Sequence, residues 1–182
     1  MATVYTKLTA DDLWKMPDDG NRYELLDGEI VVSPAPLTKH QRIVGAGFML
    51  LVAAERAGYG QVYVAPVDVV LDEHNVVQPD VLFVISERLS IVMEKNIQGA
   101  PDLVIEVLSP STSSKDLGDK LSTYERFGVR YCWLVSPEAE VIRRFALQGG
   151  TFVEDVPLRS GDQLTCPLFP TVSIDVATFF GR

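Results

Sequence analysis

The segment from Asp102 to Leu108 places the strongest constraint on how this 182-residue chain can fold. Apart from its two acids it is continuously apolar, which is typical of a central strand that is covered on both faces of a sheet. Glu106 lies inside this segment, where a carboxylate is costly unless it is paired or bound to a metal. Because Ser109 and Pro110 follow directly, we expect Glu106 near the C-terminal end of the strand, where α/β proteins commonly bind ligands. The alternatives are a structural ion pair and a strand end that opens to solvent.

The remaining pattern predicts an α/β fold in which a mixed sheet is flanked by helices, as one domain over residues 1–182. Helices are predicted from Thr9 to Met16, from Thr38 to about Ala57 and over Lys115–Phe127. Strands are predicted over Arg22–Leu26, Glu29–Ser33, Gln61–Val64, Val67–Leu71, Val76–Val77, Asp80–Ile85, Asp102–Leu108, Tyr131–Val135, Val141–Ala146 and Thr151–Val156. Asp27-Gly28 favours a type I′ turn between the first two strands. Thr38 is the expected N-cap of the long helix and Gly58 its expected stop.

Composition narrows the class of protein. The apolar fraction of 47% and the charged fraction of 23% are ordinary for a globular domain. No run of 18 apolar residues and no signal peptide are found, so we expect a cytoplasmic protein that does not enter a membrane. Cys132 and Cys166 lack metal-like spacing, and with only two histidines a zinc site is not expected. Cys132 lies in an apolar run and is predicted to be buried.

The net charge is 16 − 25 = −9, which argues against a broad basic surface for non-specific binding of nucleic acid. A local basic groove is compatible with this total. Carboxylates that hold a metal would also add to the negative count.

Four further polar residues have an ordinary structural interpretation. Asp80 follows Pro79 and opens an apolar strand; by itself it is more typical of a turn than of a catalytic site. Glu24 lies in the first hairpin, where an exposed acid is the usual outcome. His40 lies in the first turn of the long helix, where a lone histidine is usually exposed or part of a cap. His74 lies in a turn and is expected to face solvent.

Lys120 is the most informative residue of the last predicted helix. At helical spacing, Leu117, Leu121 and Tyr124 form its apolar face, and Lys120 lies on the flank of that face. A lysine in this position can lay its stem on the sheet and present its amine at the strand ends. The alternative is a local pair with Asp116, four residues earlier. Both could hold.

The stretches Tyr23–Glu29, Pro79–Val81 and Pro101–Tyr124 resemble the Uma2 family, which is placed among the PD-(D/E)XK nucleases. The resemblance extends from about Leu8 to Phe145. It implies a restriction-endonuclease-like PD-(D/E)XK core that is preceded by a helix and a hairpin.

The nuclease pattern is an Asp followed, on a separate strand, by Glu-x-Lys. Asp80 and Glu106 match the acids, but Leu108 stands where the lysine is expected. Lys120 matches a lysine that in this family lies on the following helix. Glu24 matches a recurrent family acid and is a candidate catalytic residue.

The resemblance implies metal-assisted hydrolysis of phosphodiesters. Asp80, Glu106 and the Val107 carbonyl would hold Mg²⁺ (or Mn²⁺), because hard oxygen ligands suit these ions. The metal would polarise a phosphate oxygen and lower the pKa of a bound water. Lys120 would orient that water or stabilise the developing negative charge.

Three functions stay open at this point. The first is a metal-dependent endonuclease that acts on DNA, as a homodimer. The second is a binding or scaffold protein that keeps the fold without catalysis, which the acidic charge and the missing Glu-x-Lys favour. The third is a hydrolase of another phosphate ester at the same site, because a fold does not fix a function. His40 also matches a recurrent family position, without an assigned role.

Overall fold

The computed structural model describes residues 6–33, 35–109 and 114–182, and for residues 114–116 it describes the backbone alone. The helices are α1 (Ala10–Leu13), α2 (Thr38–Arg56), α3 (Ser114–Phe127) and α4 (Val176–Phe179), with a 3-10 helix at Ser86–Ile91. The strands are β1 (Arg22–Leu26), β2 (Glu29–Ser33), β3 (Gly60–Val64), β4 (Val69–Asp72), β5 (Asn75–Val77), β6 (Val81–Ile85), β7 (Ile97–Gln98), β8 (Leu103–Val107), β9 (Tyr131–Ser136), β10 (Val141–Gln148), β11 (Thr151–Glu154), β12 (Gln163–Thr165) and β13 (Ser173–Asp175).

The predicted fold class, a mixed α/β architecture flanked by helices, is confirmed, but the strands of the described residues form three sheets instead of one. The largest sheet has the order β11-β10-β9-β8-β6-β3, and β12 pairs with β13 in a two-stranded sheet. The N-terminal hairpin belongs to a separate sheet of order β2-β1-β5-β4-β7. Strand β1 pairs with β2 and β5, and among the described residues none of the central strands pairs with the hairpin.

Strand β8 lies at the centre of the fold and is buried along its whole length, as its apolar sequence predicts. It pairs parallel with β9 and antiparallel with β6. Ile105 packs in a core cluster with residues of α2, whereas Val104 packs in a second cluster with Tyr124 of α3. Since alternate residues of a strand share a face, Glu106 points to the same side as Val104, toward α3.

Local sequence signals fix several ends of elements. Asp27 (φ 50°) and Gly28 (φ 82°) both have a positive φ, as the predicted type I′ turn requires. Gly58 (φ 85°) follows the last residues of α2, so its predicted role as the stop is confirmed. Thr38 is instead the first helical residue, and Leu37 occupies the N-cap with an extended backbone (φ −71°, ψ 156°).

Helix α1 is shorter than predicted, ending at Leu13 where Met16 was expected. Pro17 disfavours a helical backbone at the residue before it, which limits the helix from that side. At the other end, the Thr9 backbone N–H and hydroxyl both donate to Asp12 Oδ2. The predicted loop from Ser109 to Ser114 lies largely outside the described residues. None of the described helices is long and apolar enough to cross a membrane.

Candidate active site

A cavity of about 880 Å³ lies between the first hairpin, the start of α2 and the ends of the central strands. It brings together all five residues that the sequence predicts for the site. These are Glu24, Asp80, Glu106, Val107 and Lys120. They come from β1, the residue before β6, β8 and α3, so four separate parts of the chain converge on one wall.

Glu106 is buried near the C-terminal end of β8, which excludes a strand end that opens to solvent. Its Oε1 accepts hydrogen bonds from Lys120 Nζ, at 2.9 Å, and from the Tyr124 hydroxyl. Burial raises the pKa of Glu106, and the nearby carboxylates Asp80 and Glu24 raise it further, while Lys120 opposes the rise. One oxygen of the carboxylate, Oε1, therefore accepts from two donors.

Lys120 forms ion pairs with two buried acids. Its Nζ lies 2.9 Å from Glu106 Oε1 and 2.9 Å from Glu24 Oε1. Burial by itself lowers the pKa of the amine, but Glu106 and Glu24 outweigh it, so the pKa is raised and the amine stays charged. The alternative partner, the Asp116 side chain, lies outside the described side chains.

Glu24 is buried, so the expectation of an exposed hairpin acid is wrong. The reason is that β1 is an inner strand, with β2 on one side and β5 on the other. Besides Lys120, Glu24 Oε1 accepts the backbone N–H of Gln78 at 2.7 Å. The acid thus joins the N-terminal sheet to α3.

Asp80 ties the end of β8 to the rest of the site. Its Oδ2 accepts the Val107 backbone N–H at 2.8 Å and lies 3.3 Å from His40 Nε2. Its Oδ1 accepts from an Arg22 guanidinium nitrogen at 3.0 Å. Burial raises the pKa of Asp80, but His40, Arg22 and the Val107 N–H together outweigh it and lower the pKa to about 2. Asp80 is thus an ionised carboxylate at neutral pH.

Sequence reasoning missed three members of this cluster. Arg22 lies two residues before Glu24, and that spacing puts both side chains on one face of β1. Tyr124 lies one helical turn after Lys120 and was read only as an apolar residue. His40 was expected to be exposed or capping, but it is buried because it lies on the side of α2 that faces the cavity.

Leu108 and His74 show two further outcomes. Leu108, which stands at the expected lysine position, also lines the cavity. The amine that lies beside Glu106 there is that of Lys120. His74 does not simply face solvent: it is half-buried, and its Nδ1 lies 2.8 Å from the Leu8 carbonyl oxygen. Cys132 is buried as predicted.

The carboxylate oxygens at this site are of the type that a hard divalent cation prefers as ligands. Across residues 6–33, 35–109 and 114–182, no group of three or more His, Cys, Asp or Glu side chains is arranged to hold a metal. Asp80 and Glu106 nevertheless line one cavity. Mg²⁺ usually keeps several waters and takes only one or two carboxylates from the protein.

Comparisons with known proteins agree with this architecture. A family described as "Uma2: Putative restriction endonuclease" matches residues 10–177. Among solved structures, the crystal structure of "a putative nuclease belonging to DUF820" from Anabaena variabilis is similar in fold. Its TM-score is 0.78 at 20% identity, and the match covers 95% of this chain and 97% of that one. A search of curated proteins found no match. Because the family match spans most of the sequence, the chain belongs to the Uma2 family.

Proposed function

We propose that this protein is a metal-dependent endonuclease that hydrolyses phosphodiester bonds in DNA. One observation carries the proposal: the buried Glu106–Lys120 pair lines the same cavity as Asp80. Acids near strand ends can hold a metal that activates water, and a lysine beside one of them can stabilise negative charge as a phosphodiester is hydrolysed. Membership of a family described as "Putative restriction endonuclease", and similarity in fold to "a putative nuclease", support the same activity.

In this proposal Asp80, Glu106 and the Val107 carbonyl hold Mg²⁺ or Mn²⁺. The bound ion would polarise a phosphate oxygen and lower the pKa of a bound water. Lys120 stays charged and lies 2.9 Å from Glu106, so its amine can orient the attacking water or stabilise negative charge as it develops. Glu24 holds the same amine from the other side and thereby positions it.

A binding protein without catalysis is the second candidate. It is favoured by the absence, within the described residues, of a three-ligand metal cluster, and by the salt bridges that engage Lys120. The net charge of −9 also favours a binding protein without catalysis. Hydrolysis of another phosphate ester at this site is the third candidate function.

A cleavage assay separates these functions. Supercoiled plasmid would be incubated with the protein and Mg²⁺ or Mn²⁺, beside Glu106→Gln and Lys120→Met variants. Glu94→Gln and Lys15→Met serve as matched controls, because both side chains are exposed and neither lines the cavity.

We expect the parent and both controls to nick or linearise the plasmid, and the two site variants to leave it intact. No cleavage by the parent of either the plasmid or a single-stranded circular DNA incubated beside it, or equal cleavage by all five proteins, would contradict the nuclease proposal. Hydrolysis of an aryl phosphodiester without plasmid cleavage would favour the third function.

Two further expectations belong to this proposal. Cutting both strands of a duplex is simplest with two copies of one site, so we expect a homodimer. Light scattering of the purified protein should then give twice the mass of the chain, and a monomer at working concentration would contradict this. We expect the protein to act in the cytoplasm.

A further inference from the structure

Exposed apolar side chains surround the opening of the cavity. Trp14, Val32, Leu37 and Val64 are each at least 40% exposed, and all four line the cavity. Single exposed apolar residues are ordinary, but several around one opening mark a binding surface. Metal binding at Glu106 does not require such a rim, so the rim is available to contact another part of the ligand.

Trp14 is held in place on this rim. Its indole Nε1 donates to Asp68 Oδ2 at 3.0 Å, and the other oxygen of Asp68 accepts from Gln78 Nε2 at 2.8 Å. The backbone N–H of Gln78 in turn donates to Glu24. A chain of hydrogen bonds therefore connects the aromatic ring at the rim with the acids on the cavity wall, which fixes the position of one relative to the other.

The charges of the cavity do not suit an intact duplex. Among its described lining residues, Arg22 and Lys120 are the only Lys or Arg side chains, and both already pair with carboxylates. Proteins that grip duplex DNA neutralise several phosphates with basic side chains. Within the described part of the chain, two buried nitrogens of the cavity lining, Arg22 Nε and His40 Nδ1, have no hydrogen-bond partner. Arg22 Nε lies 3.8 Å from Glu24 Oε2, beyond hydrogen-bond distance. This small number of hydrogen-bond donors suits one phosphate group.

We propose that the cavity takes an unpaired nucleotide of a DNA strand, with its base stacked on Trp14 and its phosphate directed to the cluster of Arg22, Glu106 and Lys120. The substrate class is accordingly single-stranded or frayed DNA. The volume of about 880 Å³ lies within the range of sites that enclose a small ligand. Bases stack on aromatic side chains with little regard to sequence. This inference rests on the proposed function, because the strand must bring a phosphodiester to the acids.

Tryptophan fluorescence gives a direct test. The chain has two tryptophans, and Trp133 is only 1% exposed in the core, so a ligand at the cavity changes the emission of Trp14. The parent would be titrated with a short single-stranded oligonucleotide, with its duplex and with an abasic strand of equal length. Ca²⁺ would replace Mg²⁺ in order to prevent turnover. We expect quenching by the single strand and little change with the other two.

Variants then assign the effect to the ring, with a labelled strand and anisotropy as the readout. Trp14→Ala should weaken binding of the single strand by about five- to 150-fold, the measured range for loss of one stacked base. Trp14→Phe should keep most of the affinity, and Met93→Ala, an exposed apolar side chain away from the cavity, should not change it. Equal binding of the duplex or the abasic strand, unchanged affinity of Trp14→Ala, or no binding of any strand would each overturn the inference.

The two proposals fail in different ways. If the parent cuts intact duplex plasmid and Trp14→Ala cuts it at the same rate, the inference is overturned while the nuclease proposal stands. If the single strand binds through Trp14 but no DNA is cut in Mg²⁺ or Mn²⁺, the nuclease proposal fails while the site for an unpaired nucleotide is supported.

Discussion

Replacing Lys120 by methionine removes a cation that contacts both Glu24 and Glu106. The amine lies 2.9 Å from each carboxylate, and the three side chains are 11%, 1% and 7% exposed. Breaking a buried ion pair by removing one partner typically costs about 3–5 kcal/mol. Because the pKa of Glu106 is already raised, this carboxylate can take up a proton and relieve part of the loss. We therefore expect the free energy of unfolding to fall by about 3 kcal/mol or somewhat more.

Urea denaturation followed by circular dichroism measures this loss. Lys15→Met is the matched control, because its side chain is 73% exposed and lies 3.3 Å from Asp12. An exposed pair of this kind contributes about 0–1 kcal/mol. A double variant, Lys120→Met with Glu106→Gln, should regain part of the loss, since one of the two uncompensated charges is gone. If Lys120→Met is no less stable than Lys15→Met, the buried cluster does not have the electrostatic role that its geometry indicates.

Three further predictions follow from the same contacts. Tyr124→Phe removes a hydroxyl that donates to Glu106 and should lower stability by about 1.5–3 kcal/mol in the same urea assay; an unchanged midpoint would contradict this. Cys132 and Cys166 should react slowly with iodoacetamide in the folded protein, because burial raises both thiol pKa values, that of Cys166 to about 11; rapid labelling without urea would argue against the described core. Mg²⁺ or Mn²⁺ should raise the melting temperature of the parent but not of Asp80→Ala; an equal rise in both would exclude Asp80 as a ligand.

The parts of this fold that the sequence predicts are those that depend on local signals. The turn at Asp27-Gly28 follows from the backbone that these residues favour, and the burial of Glu106 follows from its apolar neighbours. The position of Lys120 follows from helical spacing. Each inference needs only a few consecutive residues.

The parts that were missed depend on which distant segments meet. Nothing near Glu24 in the sequence indicates that β1 lies beside α3, so its burial and its contact with Lys120 could not be foreseen. Arg22 and His40 belong to the site only because the hairpin and α2 approach the residue before β6. The separation of the strands into three sheets has the same origin, since strand pairing is set across the whole chain.

The most direct test of the central claim combines metal binding and turnover in one variant. Lys120 is proposed to act on the reacting groups and not to ligate the metal. Lys120→Met should therefore still bind Mn²⁺ in a calorimetric titration, while its rate of DNA cleavage falls about 100-fold or more, the usual cost of removing one group that stabilises charge in a transition state. Loss of Mn²⁺ binding in a folded variant, or cleavage at the parental rate, would contradict the account.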